Sequence, residues 1–468
     1  MGRWILAAAL TMSAAWGAVN TAQAAPLQGE QAALHVLNRM AYGPRPGDIE
    51  RVTQMGVERY LDEQLNPPPL PAALAQRLDG LETQKLGAGA ALEELRLVQA
   101  AAKKDKDEAM EMRRDTVRQL MLETSEARLL RAVESPRQLE EVMVDFWFNH
   151  FNVFQGKGQD RVLVSSYERD AIRPHVFGRF RDLLGATAKH PAMLFYLDNW
   201  VSKADGLNEN YARELMELHT LGVDNGYKQQ DVTELARMLT GWTYAPKRMI
   251  QRNETFVFDP KRHDNGSKQW LGVTVAPRGQ AEGEMALDVL AAHPSTARRI
   301  SFKLAQYFVS DTPPQALVER MARTWRDSGG EIRAVLRTMF TSPEFMDQAV
   351  AGAKFKTPYQ FVVSATRASG APVTDVKPML AALSRLGQPL YGCQTPDGYK
   401  NTQDAWLNPD ALTRRIAFAT TLTQGSDPQQ VQAALGASVS PRTAALVATS
   451  PDKVRAAMLL GGPDFMQR

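Results

Sequence analysis

Residues 25–468 predict a mainly α-helical protein, one large domain with a small β-hairpin near 255–275. Two observations carry that expectation. Apolar residues recur three and four apart through most of the chain, the period of an amphipathic helix. β-prone runs are confined to one short stretch, Thr255-Phe256-Val257-Phe258 and Trp270-Leu271-Gly272-Val273-Thr274, around a polar loop.

The elements follow in order. Residues 30–65 read as two helices: Leu34, Leu37 and Met40 set one period, Tyr42-Gly43-Pro44 breaks it, and Ile49, Val52, Tyr60 and Leu65 resume it. Asn66-Pro67-Pro68-Pro69-Leu70-Pro71 is a stiff linker, because proline lacks the donor a helix needs. Residues 90–133, rich in Ala, Leu, Glu, Lys and Arg, predict long helices with a turn near Lys103–Glu108. Ser135-Pro136 is expected to open the next helix, which carries Asp145, Phe146, Trp147, Asn149 and His150.

The first residues have the form of a Sec-type signal peptide over 1–24. Arg3 precedes an apolar run from Ile5 to Val19, and Ala22-Gln23-Ala24 offers small residues at a cleavage site. The other reading is an uncleaved anchor, for which the run is short. A periplasmic or secreted location and no membrane-spanning segment after cleavage are therefore expected. Lys and Arg total 55 against 52 Asp and Glu, so nothing argues for a nucleic-acid partner. Cys393 is the single cysteine, which excludes an intrachain disulfide.

Chemistry-bearing residues concentrate in Leu207–Thr243. Asn208 is a candidate helix N-cap, and Gly222 sits where a C-terminal glycine belongs. Asn210, Glu214, Glu217 and Leu221 fall on one stripe of the helix between them, and Tyr211, Leu215, Leu218 and His219 on the other. Glu214 and Glu217 read as acid, base or cation ligands; the alternative is a structural network in which Arg213 neutralises Glu217. A second cluster, Asp145 to Asn152, sets Asn149 and His150 among aromatics. A third, Asp259 to Lys268, places His263 beside Asp264 as a metal or catalytic pair, or as an Asx-type turn. HExxH, GxSxG, Walker and dinucleotide fingerprints are absent.

In this order the segments HVLNRMAYGPRPGDIERV, FWFNHFNV, NENYARELMELHTLGV, ARMLTGWT and FDPKRHDNGSKQWLG resemble a bacterial family, domain-of-unknown-function family 1800. HPSTARRISFKLAQYFV and LGQPLYGCQTPDGYKN match more loosely. The chain departs from the family pattern at Tyr399, often Trp, and at His219, often Phe. The resemblance implies export and a gene neighbour encoding an exported sulfatase-like protein, but no reaction.

Two functions are expected from these residues. The first is a periplasmic enzyme of hydrolase or metal-assisted type, with Glu214, Glu217, His263 and Asp264 catalytic. Asn149, Asn208, Asn210, Arg213 and Lys268 would bind substrate, and His150, Glu214, His263 and Asp264 would hold a divalent metal ion. All would meet in one pocket. The second is a non-catalytic binding or scaffold protein partnering the sulfatase-like neighbour. Intact-mass measurement of exported protein tests the N-terminus: a chain beginning near Ala25 is expected, and a membrane-bound chain retaining Met1 would refute cleavage.

Overall fold

The computed structural model describes residues 26–101, 108–223 and 225–468, without the side chains of 101–114. The signal peptide expected over 1–24, and most of the turn expected near Lys103–Glu108, lie outside the described residues. Helices dominate, as the periodicity requires. Among the described residues none is long and apolar enough to cross a membrane.

Two helices form the centre. In Pro358–Ala368 every residue is buried, and in Gln138–His150 only Asp145 and Asn149 are not fully so. A helix buried on all sides has no solvent face and sits inside the bundle, with its polar residues paired there. Thr357 caps the first, with Pro358 at its first turn and Gln360 closing a capping box. The second starts at Gln138 rather than at Pro136. The Ser135 hydroxyl accepts the Arg137 amide at 3.0 Å and holds the chain in a turn first. The proline-rich stretch lies between helices Val57–Leu65 and Ala72–Asp79, as expected of a linker, and the long helices are Ala88–Ala101 and Glu108–Glu134. One apolar core runs through the molecule, from Ala33 to Met466.

The expected hairpin is two smaller ones. Val257-Phe258 pairs antiparallel with Trp242-Thr243, and Lys268–Trp270 pairs with Val273–Val275. Leu271 and Gly272 both take positive φ, which gives the second pair a tight turn and leaves the first run to find another partner.

Charge is buried at the centre. Arg128 donates to Glu168 at 2.9 Å and to Asp145 at 2.6 Å, and its guanidinium lies over the rings of Phe148, Tyr359 and Tyr391. Arg173 grips Glu141 at 2.7 and 3.0 Å and reaches Glu168 at 3.1 Å. Removing one member of such a set strands the others without water. Arg128→Met should therefore cost about 3–5 kcal/mol of stability. Adding Glu168→Gln should restore part of the loss; thermal melts of the single and double variants check both, and equal melting temperatures for wild type and Arg128→Met would refute the role.

Candidate functional site

The Asn208 segment does not stay α-helical. Asn210–Glu214 is one α-turn, and Leu215–His219 continues as a π-helix. The wider turn ends with the Gly222 amide on the Met216 carbonyl and the Thr220 hydroxyl on the Leu215 carbonyl. A second π-helix, Tyr167–Ile172, carries Glu168. Such turns cost backbone regularity and cluster at functional sites.

The two glutamates of this segment have different fates. Arg213 holds Glu217 at 3.3 Å and Glu209 at 3.3 Å, and it donates to Gln229 at 2.8 Å. Glu217 and Arg213 are thus spent on each other, as the structural alternative requires. Glu214 is half-buried and has no hydrogen-bond or ion-pair partner among the described residues. Burial, then the nearby charges of Glu217 and Asp397, push its carboxyl above the ordinary value, with Arg213 opposing.

His150 faces the same segment. Its Nε2 lies 3.1 Å from the His219 carbonyl oxygen, so that nitrogen carries the proton. Its Nδ1 is then an acceptor and receives Lys303 Nζ at 2.9 Å. Burial, reinforced by Lys303, keeps the imidazole neutral. Lys303 has no carboxylate within ion-pair distance among the described residues. Burial and the charges of Arg299 and Lys400 draw its ammonium down to about 7, with only Asp397 opposing. Asp397 therefore acts on both Glu214 and Lys303, and it binds Lys400 at 2.8 Å.

The loop that brings Asp397 and Lys400 is fastened to the His150 helix. The Asn149 amide donates to the Tyr399 carbonyl at 2.9 Å and accepts the Tyr399 amide at 2.7 Å. Asn152 donates to the carbonyls of Cys393 and Thr395, and the Tyr196 hydroxyl to that of Gln394. Gly398, at φ 73°, lies so close to Asn149 that an added Cβ would stand 2.2 Å from its carbonyl oxygen. Beside this loop is a cavity of about 50 Å³, lined by Arg128, Asp145, Asn149, Tyr391 and Lys400 among others. That is room for a few waters rather than a large substrate.

His263 and Asp264 do not join this group. His263 is buried, with Nδ1 2.9 Å from the Thr240 carbonyl and Nε2 3.1 Å from Glu282. Lys268 Nζ stands 2.6 Å from Glu282 and donates to the Asp264 carbonyl. Burial raises the Glu282 carboxyl, but bonds from Lys268, the Arg278 amide and His263 outweigh it and hold it ionised. Asp264 turns to Arg237 at 2.8 and 3.2 Å, which holds its carboxyl down to about 2. The carboxylate orienting His263 is therefore Glu282, not Asp264. Among the described residues this set shares no hydrogen bond, ion pair or ring contact with His150 or Glu214.

Three corrections follow. The expected metal set of His150, Glu214, His263 and Asp264 is not assembled; among the described residues no three His, Cys, Asp or Glu side chains are placed to hold a metal ion. Asn149, Arg213 and Lys268, expected to bind substrate, have their polar atoms engaged within the protein. Asn208 Oδ1 caps the Asn210 amide at 2.9 Å, a helix-terminus role, while Asn210 itself is exposed. Lys303, Asp397 and Lys400 were missed. Lys303 gives no sign in sequence beyond lying on the apolar-flanked face of a helix, and Asp397 sits in a Pro/Gly turn that reads as a plain loop.

The family described as a protein of unknown function, DUF1800, matches residues 35–467, and the chain belongs to it. Neither the curated proteins nor the solved structures contain a match.

Lys303 makes stability depend on pH. Its folded value of about 7 lies below its unfolded one of 10.5, so the unfolded chain binds more protons between them and stability rises with pH across that window. Below it, the full cost of the buried charge is present. Lys303→Met should therefore stabilise most at pH 6, and the gain should shrink by pH 9. Denaturant unfolding at both values checks this, and a difference independent of pH would refute it.

Proposed function

We propose that this member of the DUF1800 family is an exported acid–base enzyme of hydrolase type, with Glu214 and Lys303 as its proton-transfer pair. The observation that carries the reading is that Glu214, alone among the polar residues of its segment, is half-buried, raised in pKa and unpartnered among the described residues. A structural carboxylate would have been given a cation, as Glu217 has been. Opposite it, Asp397 lies within electrostatic reach of both Glu214 and Lys303.

The protonation states assign the roles. Burial raises the Glu214 carboxyl and lowers the Lys303 ammonium to about 7, so the first gains affinity for a proton and the second gives one up more readily. Glu214 is then the base that takes a proton from water or substrate, and Lys303 the acid that returns one. His150 fixes the amine by accepting one of its hydrogens, and Lys400 holds Asp397 in place.

A second reading has its own support. Asn149, Arg213, Asp264 and Lys268 all bond within the protein, which suits a scaffold for the exported sulfatase-like neighbour. On that reading no turnover exists and the neighbour co-purifies with the protein.

Purified protein offered a panel of ester, amide, glycoside and sulfate-ester substrates separates the two. On the enzyme reading the active substrate gives a bell-shaped rate profile. Its acid limb lies above the ordinary glutamate value of 4.5 and its alkaline limb near 7. Glu214→Gln should lower the rate by about a hundredfold or more while leaving the melting temperature unchanged or higher. Full activity in Glu214→Gln, or a collapse of its fold, would sink the assignment.

A further inference from the structure

We propose that the cleft beside the π-helix, lined by Arg298, Arg299, Arg326 and Phe302, is a binding site for an organic oxyanion: a carboxylate, sulfate or phosphate carried on an apolar body. The cleft measures about 660 Å³, which is the size of a small-molecule site. Three arginines face one carboxylate, Glu319, along its wall. Glu319 is taken by Arg298 at 2.7 Å. Arg326 is exposed and has no hydrogen-bond or ion-pair partner among the described residues. Phe302, 41% exposed, and Pro313 supply an apolar wall beside the charges.

Arg299 is the centre of the argument. Its guanidinium is half-buried, yet its hydrogen bonding amounts to one long contact, 3.4 Å to the Leu218 carbonyl, and its buried Nε has no partner. A desolvated cation without a counter-charge is costly, and an arriving oxyanion would remove that cost. The chain makes room for this side chain: at Gly222, φ 97°, a Cβ would lie 2.8 Å from an Arg299 terminal nitrogen. The guanidinium is planar and carries forked donors, matched to two oxygens of one anion.

Leu218 belongs to the π-helix that follows Glu214, and Arg299 lies one turn before Lys303 on their common helix. An anion held here would be bound at the edge of the proposed acid–base site. That link to substrate rests on the reading of Glu214; the binding itself does not.

The test reads binding without turnover, so loss of the Glu214 assignment would leave it standing. The full chain is titrated with inorganic phosphate, sulfate and acetate, at ionic strength held constant with chloride, and melting temperature is followed. A saturable rise with at least one oxyanion is expected, and the one acting at the lowest concentration names the group. Arg299→Gln should raise the half-saturating concentration tenfold or more. Arg326→Gln, at an exposed and unpaired position that does not threaten folding, should raise it several-fold. No saturable rise with any of the three anions, or an unchanged half-saturation in Arg326→Gln and Arg299→Gln, overturns the proposal.

Discussion

The buried ion cluster around Arg128 is the constraint on which the rest depends. It ties the long helix Glu108–Glu134 to helix Gln138–His150 through Asp145, to the π-helix Tyr167–Ile172 through Glu168, and to helix Pro358–Ala368 through the face of Tyr359. It also fixes the loop that completes the site. The Tyr391 hydroxyl donates to Glu168 at 2.8 Å while its ring lies under the guanidinium. Tyr391 takes φ 57°, a left-handed conformation that costs about 1 kcal/mol or more for a residue with a side chain. The loop holds that conformation because letting go would strand the buried Tyr391 hydroxyl and take from Glu168 one of the bonds that hold its carboxylate in the interior. Asp397 and Lys400 then stand where Tyr391 and Asn149 put them.

The same physics distinguishes structural from functional charge elsewhere. Among the described residues three lysines are buried more fully than Lys303. Lys268 has Glu282, Lys354 has Asp311, and Lys356 lies 3.5 Å above the Phe465 ring. Each is answered by an anion or an aromatic face. Lys303 is answered only by a neutral imidazole, with two further cations close enough to depress it. Glu214, which shares Asp397 as an electrostatic neighbour with Lys303, has a carboxyl raised by burial and then by Glu217 and Asp397. A fold selected only for stability would give each of them a partner of opposite charge, as Glu217 and Lys268 have been given. Leaving the carboxyl raised and the ammonium lowered to about 7 is a cost that the proton-transfer role proposed above would account for.

Much of the fold was legible in sequence because helices are local. The 3.6 period and the proline-rich stretch are read within a few residues of where they act; Pro136, expected at a first turn, instead precedes a helix that begins at Gln138. The strand partners were not legible: Val257-Phe258 could pair with any β-prone run, and only the turn at Leu271-Gly272 decides against the later one. Of the site, Glu214 and His150 were found because polar residues in an apolar helix stand out. The partition among polar residues was hidden. Nothing in the spacing tells that Asn149 closes on a backbone 250 residues away, or that His263 meets Glu282 rather than Asp264. The π-turn was hidden as well: Gly222 reads as an ordinary helix-ending glycine, and nothing in the spacing tells that its amide closes on the Met216 carbonyl six residues back.

His219 shows what the hidden part adds to a reading. On its helix it falls on the stripe of Tyr211, Leu215 and Leu218, where the family resemblance leads one to expect Phe. In place it is buried, touching the rings of Phe151 and Tyr211, and burial brings its imidazole down to about 3. Phe fits such a setting without loss. What the site takes from position 219 is the backbone carbonyl, which sets the tautomer of His150 and through it the orientation of Lys303. A carbonyl is supplied by any side chain, so the departure at His219 leaves the acid–base geometry intact. The π-helix that aims that carbonyl at His150 is therefore the feature on which the Lys303 position depends.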